Sequence, residues 1–378
     1  MAFTHKERVL AALFHRQPDR VPIDLGGSAE TSIVVEGYEK LKGHFNIRSD
    51  TRLSHRMMRT AAIDEAILQA LDIDTRAVFP GDLKETRDLG PDCYRSAWGV
   101  ERVRPPHSFY FDQRKSPLSG EISISDIVRY PWPDPDHPGI IRGLRDRMTR
   151  VREHTDCAVV LTIPSPFIQH SQSLRGFQDW YMDLVLRPDR AEALFDAVLE
   201  VTLRMTENIL KAAGDLADVV MTADDIGGQQ GLLFSYDHYL RFIKPRHKKF
   251  FQLVRDLTPA KILLHCCGSI ARILDDLIEL GVDAVNPVQT SAAGMDPVQL
   301  KKTGGDRMSF WGGIDTQQTL PFGSVEDVKR MVEQRIEELG EGGGYVLCAV
   351  HNIQPDVPLE NILAMYRHAR EYVPSYLK

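Results

Sequence analysis

His265, Cys266, Cys267 and Gly268 follow directly on the apolar run Lys261-Ile262-Leu263-Leu264. An imidazole and a thiolate two positions apart can meet on one metal ion if the chain turns just after a buried strand. Nitrogen and sulfur donors of this kind bind zinc. At the ends of parallel strands such a turn opens on the functional face of an α/β barrel. His265 and Cys267 are therefore the first two expected ligands. Cys266 alternates to the other side and is expected to pack as a small apolar residue. A zinc site takes three or four protein ligands, and Cys348 and His351 compete for the third place. The thiol is the softer donor, whereas the imidazole lies nearer the end of its strand. Asp224, Asp225 and Asp315 are available to complete the shell or to orient an imidazole. A plain packing role stays open too, because a buried cysteine beside a core histidine is common.

These residues need a scaffold, and the chain alternates short β-type runs with long amphipathic ones. Strands are expected at Val21 to Leu25, Ala77 to Phe79, Ala158 to Ile163, Val219 to Ala223, Ile262 to His265, Ala284 to Val288, Ser309 to Gly312 and Gly344 to Val350. Several are apolar without alternation, as strands covered on both faces should be. Helical periodicity marks Ser54 to Leu71, Arg190 to Ala213, His238 to Leu257, Ile270 to Leu280, Val325 to Leu339 and Leu359 to Tyr372. Eight strand–helix alternations predict a (β/α)8 TIM barrel occupying residues 1–378 as one domain. A doubly wound sheet is the alternative. One stretch breaks the rhythm: about 91–138 carries a β-hairpin pattern, then Pro131, Pro133, Pro135 and Pro138. It reads as an insertion between the second and third units, either a flap over one rim or a packing decoration.

Polar and glycine residues gather after nearly every strand, which is what one functional barrel face requires. Asp225, His351 and Asp315 are the candidates for proton handling. Asp24, Phe167, Gln229, Gln289 and Trp311 are the candidates for holding a substrate. Gly231 to Phe234, Phe167, Trp180 and Trp311 would suit an aromatic methyl ether, although core packing is the commoner fate of such side chains. Gly227-Gly228 and Gly312-Gly313 either permit tight turns or bring backbone amides near an anion. Neither matches a nucleotide-binding fingerprint.

The 378 residues are 43% hydrophobic and 26% charged, with a formal charge of −7. No basic stripe suggests nucleic acid, and no apolar run approaches the roughly 20 residues needed to span a bilayer. The polar start Met1 to Arg8 lacks the apolar core of a signal peptide, so a cytoplasmic protein is expected. Five cysteines, two of them adjacent, do not read as a disulfide framework.

Taken in order, several stretches resemble the uroporphyrinogen decarboxylase superfamily over essentially the full length. They are Arg16 to Pro22, Leu174-Arg175-Gly176-Phe177, His265 to Gly268, Gly281 to Gln289, Phe310 to Asp315, and His351 to Asn361. The resemblance implies a (β/α)8 barrel and allows a homodimer. True decarboxylases of this superfamily carry an arginine-rich loop after the first strand, which grips porphyrinogen carboxylates. Here Asp24-Leu25-Gly26-Gly27-Ser28-Ala29-Glu30 stands in its place, electrostatically wrong for that task.

The other branch implied by the resemblance is zinc-dependent methyltransferases that work with corrinoid proteins, among them methylcobamide:coenzyme M methyltransferases. Their His-x-Cys motif matches His265 and Cys267. Their distant cysteine aligns with His351, so His replaces Cys, Cys348 is recruited, or the metal is absent. This chain has no Asp-x-His-x-x-Gly cobalamin motif, which puts the corrinoid on a partner protein. The expected activity is methyl transfer between a small methylated or thiol substrate and that corrinoid. The alternative is a metal-free decarboxylase or lyase of a small acid, with Asp225 and His351 moving protons and some of Arg175, Arg241 and Lys244 holding the carboxylate.

Overall fold

A computed structural model describes residues 3–81, 83 and 86–378; Met1 and Ala2 of the polar start lie outside the described residues. Seven parallel strands form a curled sheet. In spatial order they are Tyr345–Val346, Ser309–Trp311, Ala284–Asn286, Lys261–His265, Val219–Ala223, Ala158–Thr162 and Thr75–Val78. The expected first strand joins the two edges. Ile23 bridges Leu347 in parallel, and its carbonyl accepts from the Asp74 amide at 2.9 Å. This closes the (β/α)8 TIM barrel. The Val21 to Leu25 strand shrinks to that bridge because Pro22 has no N–H, and the Asp74 carboxylate takes the Ile23 N–H at 2.7 Å.

The barrel interior is a separate apolar cluster built from alternate strand residues, including Ala158, Val219, Met221, Leu263, Ala284, Trp311, Val346 and Cys348. Val9 and Leu13 of the helix His5–Leu13 belong to it. This helix packs against the strands Ala158–Thr162, Tyr345–Val346 and Thr75–Val78. Its Ala12 carbonyl accepts from Gly344 N–H at 2.7 Å, just ahead of the last strand. It therefore stoppers the end of the barrel where the strands begin. The larger core lies between the strands and the surrounding helices.

Three expectations need correction. The second strand is Thr75–Val78, not Ala77 to Phe79; polar Thr75 and Arg76 hid its start, although Thr75 bonds Asp24 and Arg76 pairs with Glu65. The helix expected over Ser54 to Leu71 is confined to Glu65–Ala70. Before it, Leu53–His55 and Thr60–Ala61 pair antiparallel across a turn in which Arg59 has φ 51. In the helix expected over His238 to Leu257, Tyr239–Ile243 is a π turn ahead of the helix Lys244–Leu257. Pro245 cannot donate to the Arg241 carbonyl, and the wider turn absorbs that defect.

The insertion does leave between the second and third strands of the barrel. It is a four-stranded antiparallel meander rather than a hairpin: Arg87–Gly90, Cys93–Arg95, Glu101–Val103 and Asp112–Lys115. After the meander comes the helix Ile124–Val128, whose start Ser123 and Asp126 fix with a capping box. Among the described residues, no helix is long and apolar enough to cross a membrane.

At the stoppered end, fully buried Asp74 accepts from Arg8 and Arg20 at 2.7 Å each while holding Ile23. One carboxylate thus ties the terminal helix to the closing segment. Removing one partner of such a buried pair costs about 3–5 kcal/mol. Asp74→Asn is expected to lower the unfolding free energy by about 3 kcal/mol in urea titrations, and a loss under about 1 kcal/mol would show the network to be dispensable.

Candidate metal centre

Parallel pairing sets the strand ends level. His265 lies opposite Ala223 on one side and Asn286 on the other. From this shelf His265, Cys267 and His351 converge, each offering one donor atom, all within 4.8 Å of one another. His265 Nε2 lies 3.3 Å from Cys267 Sγ, and His351 hydrogen-bonds the same sulfur. The two imidazole rings meet edge to face at 5.5 Å. His265 is 2% exposed, whereas Cys267 and His351 are partly open.

Asn286 sets the tautomer of His265. Its amide nitrogen donates to the Trp311 carbonyl at 3.1 Å, which turns its oxygen toward His265 Nδ1 at 2.5 Å. Nδ1 must then carry a hydrogen, which leaves Nε2, turned to Cys267, as the ring nitrogen that either donates to the thiolate or gives a lone pair to a metal. This is the polar support that metal-binding imidazoles ordinarily receive. Cys267 is held through its backbone: its N–H donates to Asp225 Oδ1 at 2.8 Å, and the next amide, Gly268, donates to Gln289 Oε1 at 2.8 Å. Gly268 turns at φ 81. A Cβ on Gly227 would stand 2.6 Å from the Cys267 carbonyl oxygen, and one on Gly268 would meet the Gly227–Gly228 backbone at 2.7 Å. The two loops can approach this closely only as glycine.

Burial alone would push the Cys267 thiol up. The adjacent His265 charge and hydrogen bonds from both imidazoles override it and bring the thiol down to about 7. Burial would likewise pull His265 down, but the Cys267 thiolate holds it up at about 10, with Glu30 and Asp225 adding to the effect. Glu30 Oε2 is buried and has no hydrogen-bond partner. A thiolate and two imidazoles make a donor set suited to a divalent transition metal.

Cys348 is not in this group. It is fully buried in the barrel interior, where burial, with Asp24 adding, holds its thiol well above the ordinary value. Forming a thiolate there would carry an ionic desolvation cost of several kcal/mol. Cys266 is also buried and accepts from the Ile226 amide at 3.2 Å.

The other expected site residues divide sharply. Asp225, Gln289 and Gln229 stand beside the centre, with Gln289 bonded to both Gly268 and Gln229. Asp224 is buried on the amides of Phe167, Ile168 and Gln169 and on His247. Asp315 does not join the centre as a proton-handling group; it accepts from the amides of Gln317, Gln318 and Thr319 at 3.1, 2.7 and 2.8 Å. Asp24, expected to hold substrate, is 1% exposed and engaged by Gly27, Thr75 and Trp311; burial raises its carboxyl above the ordinary value. Trp311 lines the barrel interior, not a pocket. Phe167 is buried against Phe195 and His247, and Trp180 packs on Phe195 and Phe234. The cations expected to grip a carboxylate are taken. Arg175 pairs with Asp183, Arg241 with Glu192, and Lys244 with Asp276 and Glu279.

Sequence reasoning missed three contributors. Asn286 carried a signal, a carboxamide ending the strand after the His265 strand. Glu30 was read only as a missing arginine. Tyr110 carried no signal. It comes from the insertion, and its hydroxyl bonds Asn352, the neighbour of His351, and Gln354. The insertion therefore reaches the rim of the centre. A second group, His5, Asp156 and Cys157, lies at the stoppered end. There both His5 nitrogens are already taken by Asp156 and Asp72, and burial pushes Cys157 up to about 11.

A family model for uroporphyrinogen decarboxylase matches residues 109–372. The chain is 28% identical over 375 residues to a methylcobamide:CoM methyltransferase from Methanosarcina barkeri strain Fusaro, covering 98% of each chain. A second Methanosarcina barkeri protein of that description is 28% identical over 237 residues; the match spans 62% of this chain and 64% of that relative, just under two thirds of its length. Among solved structures, a methyltransferase from Methanosarcina mazei superposes with a TM-score of 0.67 at 21% identity, covering 98% of this chain and 99% of the other; at that identity the likeness concerns the fold.

Asn286→Leu should leave the fold intact and free the His265 ring. Cobalt(II) affinity, read from the visible thiolate–metal band, is expected to fall by about 10–100-fold. Unchanged affinity would mean that Asn286 does not position the ligand.

Proposed function

The chain belongs to the uroporphyrinogen decarboxylase family, and on that premise we propose that it is a zinc-assisted methyltransferase. It moves a methyl group between a small methylated or thiol substrate and a corrinoid carried by a partner protein. The observation that carries this reading is the convergence of His265, Cys267 and His351. Similarity to methylcobamide:CoM methyltransferases along nearly the whole chain supports it, as does the absence of arginine from the loop Asp24 to Glu30. The reading sets the reaction in the cytoplasm, where thiolates stay reduced.

Zinc would be held by His265, Cys267 and His351, with Glu30 the nearby carboxylate left without a donor. When bound, it supplies Lewis acidity, which lowers the pKa of a thiol or polarises the heteroatom that bears the methyl group. The protein's own groups do the rest. Asn286 keeps His265 in the Nδ1–H tautomer. Asp225 and Gln289 pin the Cys267–Gly268 amides, so the sulfur does not drift when a ligand arrives. Asn352, bonded by Tyr110, supports the segment carrying His351. Such positioning converts a loose encounter into an aligned transfer. The decarboxylase reading loses support because its expected carboxylate-gripping residues, Arg175, Arg241 and Lys244, are all paired internally.

Purified protein is expected to carry about one zinc per chain, the stoichiometry of a single catalytic site. His265→Ala and Cys267→Ala should lose both the metal and methyl exchange with free cob(I)alamin, while Cys348→Ala should keep the metal. Metal content indifferent to the first two changes would overturn the zinc mechanism, and carbon dioxide release from a panel of small acids without any corrinoid would favour the decarboxylase.

A further inference from the structure

Beneath the inserted meander lies a cluster of hydrogen-bond donors without acceptors to match. Arg102, on the strand Glu101–Val103, stands opposite Tyr94 on one side and Gln113 on the other. Directly opposed residues of an antiparallel pair share a face, and from that face Arg102 reaches the helix Ile168–Arg175. Arg102 donates to Ser173 Oγ of that helix at 3.2 Å and forms no ion pair among the described residues. Burial lowers its pKa; the opposing influences of Tyr94 and Asp112 do not cancel this.

His170, on the same helix, stacks on Trp98 with centroids 4.3 Å apart. Its ring nitrogens have no hydrogen-bond partner among the described residues. Burial, with Arg102 adding to it, holds this imidazole down to about 4. It is therefore neutral at physiological pH, keeps one N–H donor and does not repel the guanidinium. The Tyr94 hydroxyl is likewise without a partner among the described residues. A half-buried guanidinium without an ion pair is poised for an anion, and a bidentate carboxylate is the ligand that best matches its fork.

The cluster is connected to the metal centre. Gln169 and Ser173 are four residues apart and so share a helix face, about 6 Å along the axis. Gln169 donates at 3.2 Å to Asp225, the carboxylate that holds the Cys267 amide. The helix face that presents Ser173 to Arg102 thus leads, through Gln169 and Asp225, to the loop that holds Cys267.

We propose that Arg102, with Tyr94, His170 and Ser173, binds a carboxylate of the substrate, so that the methylated or methyl-accepting compound is an organic acid anion. The inference rests on the methyl-transfer reading only for what happens at the substrate's other end; anion binding itself does not require it.

Isothermal titration of benzoate and its neutral isostere benzamide into the full-length protein tests this. Benzoate is expected to bind about tenfold more tightly than benzamide, and Arg102→Gln to abolish the preference. Arg102→Lys, which keeps charge but loses the fork, should retain only part of it; it decides the matter if the glutamine variant does not fold. His265→Ala should leave the preference intact, so loss of the metal reading and loss of this one are separable. Equal affinity for the two compounds, no binding of benzoate, or a preference that survives Arg102→Gln would overturn the proposal. Inorganic phosphate displacing benzoate at much lower concentration would also overturn it, by making the cluster a phosphate site.

Discussion

The register of the parallel sheet at His265 is the constraint on which the centre depends. Backbone pairing with Ala223 and Asn286 places three strand ends on one level. Only then can the Asn286 carboxamide, fixed by the Trp311 carbonyl, reach His265 Nδ1. Slipping the pairing by one residue would turn His265 to the opposite face, into the packed layer between strand and helices. The chemistry at the mouth is thus a consequence of the apolar interior below it, because Leu263, Ala284 and Trp311 fill that interior in only one alignment.

Much of the barrel was legible because buried parallel strands announce themselves. Ala158–Thr162, Val219–Ala223 and Lys261–His265 fall within a residue of their apolar runs. Failures came where tertiary partners outweigh local pattern. Thr75 and Arg76 look unlike a strand start until Asp24 and Glu65 are seen to satisfy them. Met57, Met58, Ala61 and Ala62 mimic a helix stripe, but Ala61 donates to the Ile33 carbonyl at 2.9 Å and joins a ribbon instead. The π turn was implicit in Pro245, whose missing donor the helical periodicity conceals.

The carboxylates at strand ends show why roles were harder to read than positions. Asp24, Asp224, Asp225 and Asp315 all follow strands, and sequence treats them alike. Their donors separate them, and those donors are mostly distant in the chain. Asp224 serves amides more than fifty residues away, Asp24 an indole 287 residues away. Asp315 is the exception, spent on its own loop. Asp225 alone spends an oxygen on the Cys267 amide. Cys348 and His351 posed the same problem three residues apart, and it is depth in the barrel that divides them: one thiol is sealed in hydrocarbon, one imidazole reaches the rim.

The terminal helix His5–Leu13 has one more effect. With Val9 and Leu13 wedged among the first residues of the strands and apolar side chains filling the interior above them, the end of the barrel away from the metal centre is sealed by packing. Whatever visits the imidazole–thiolate corner must arrive and depart over the same lip, beside Tyr110.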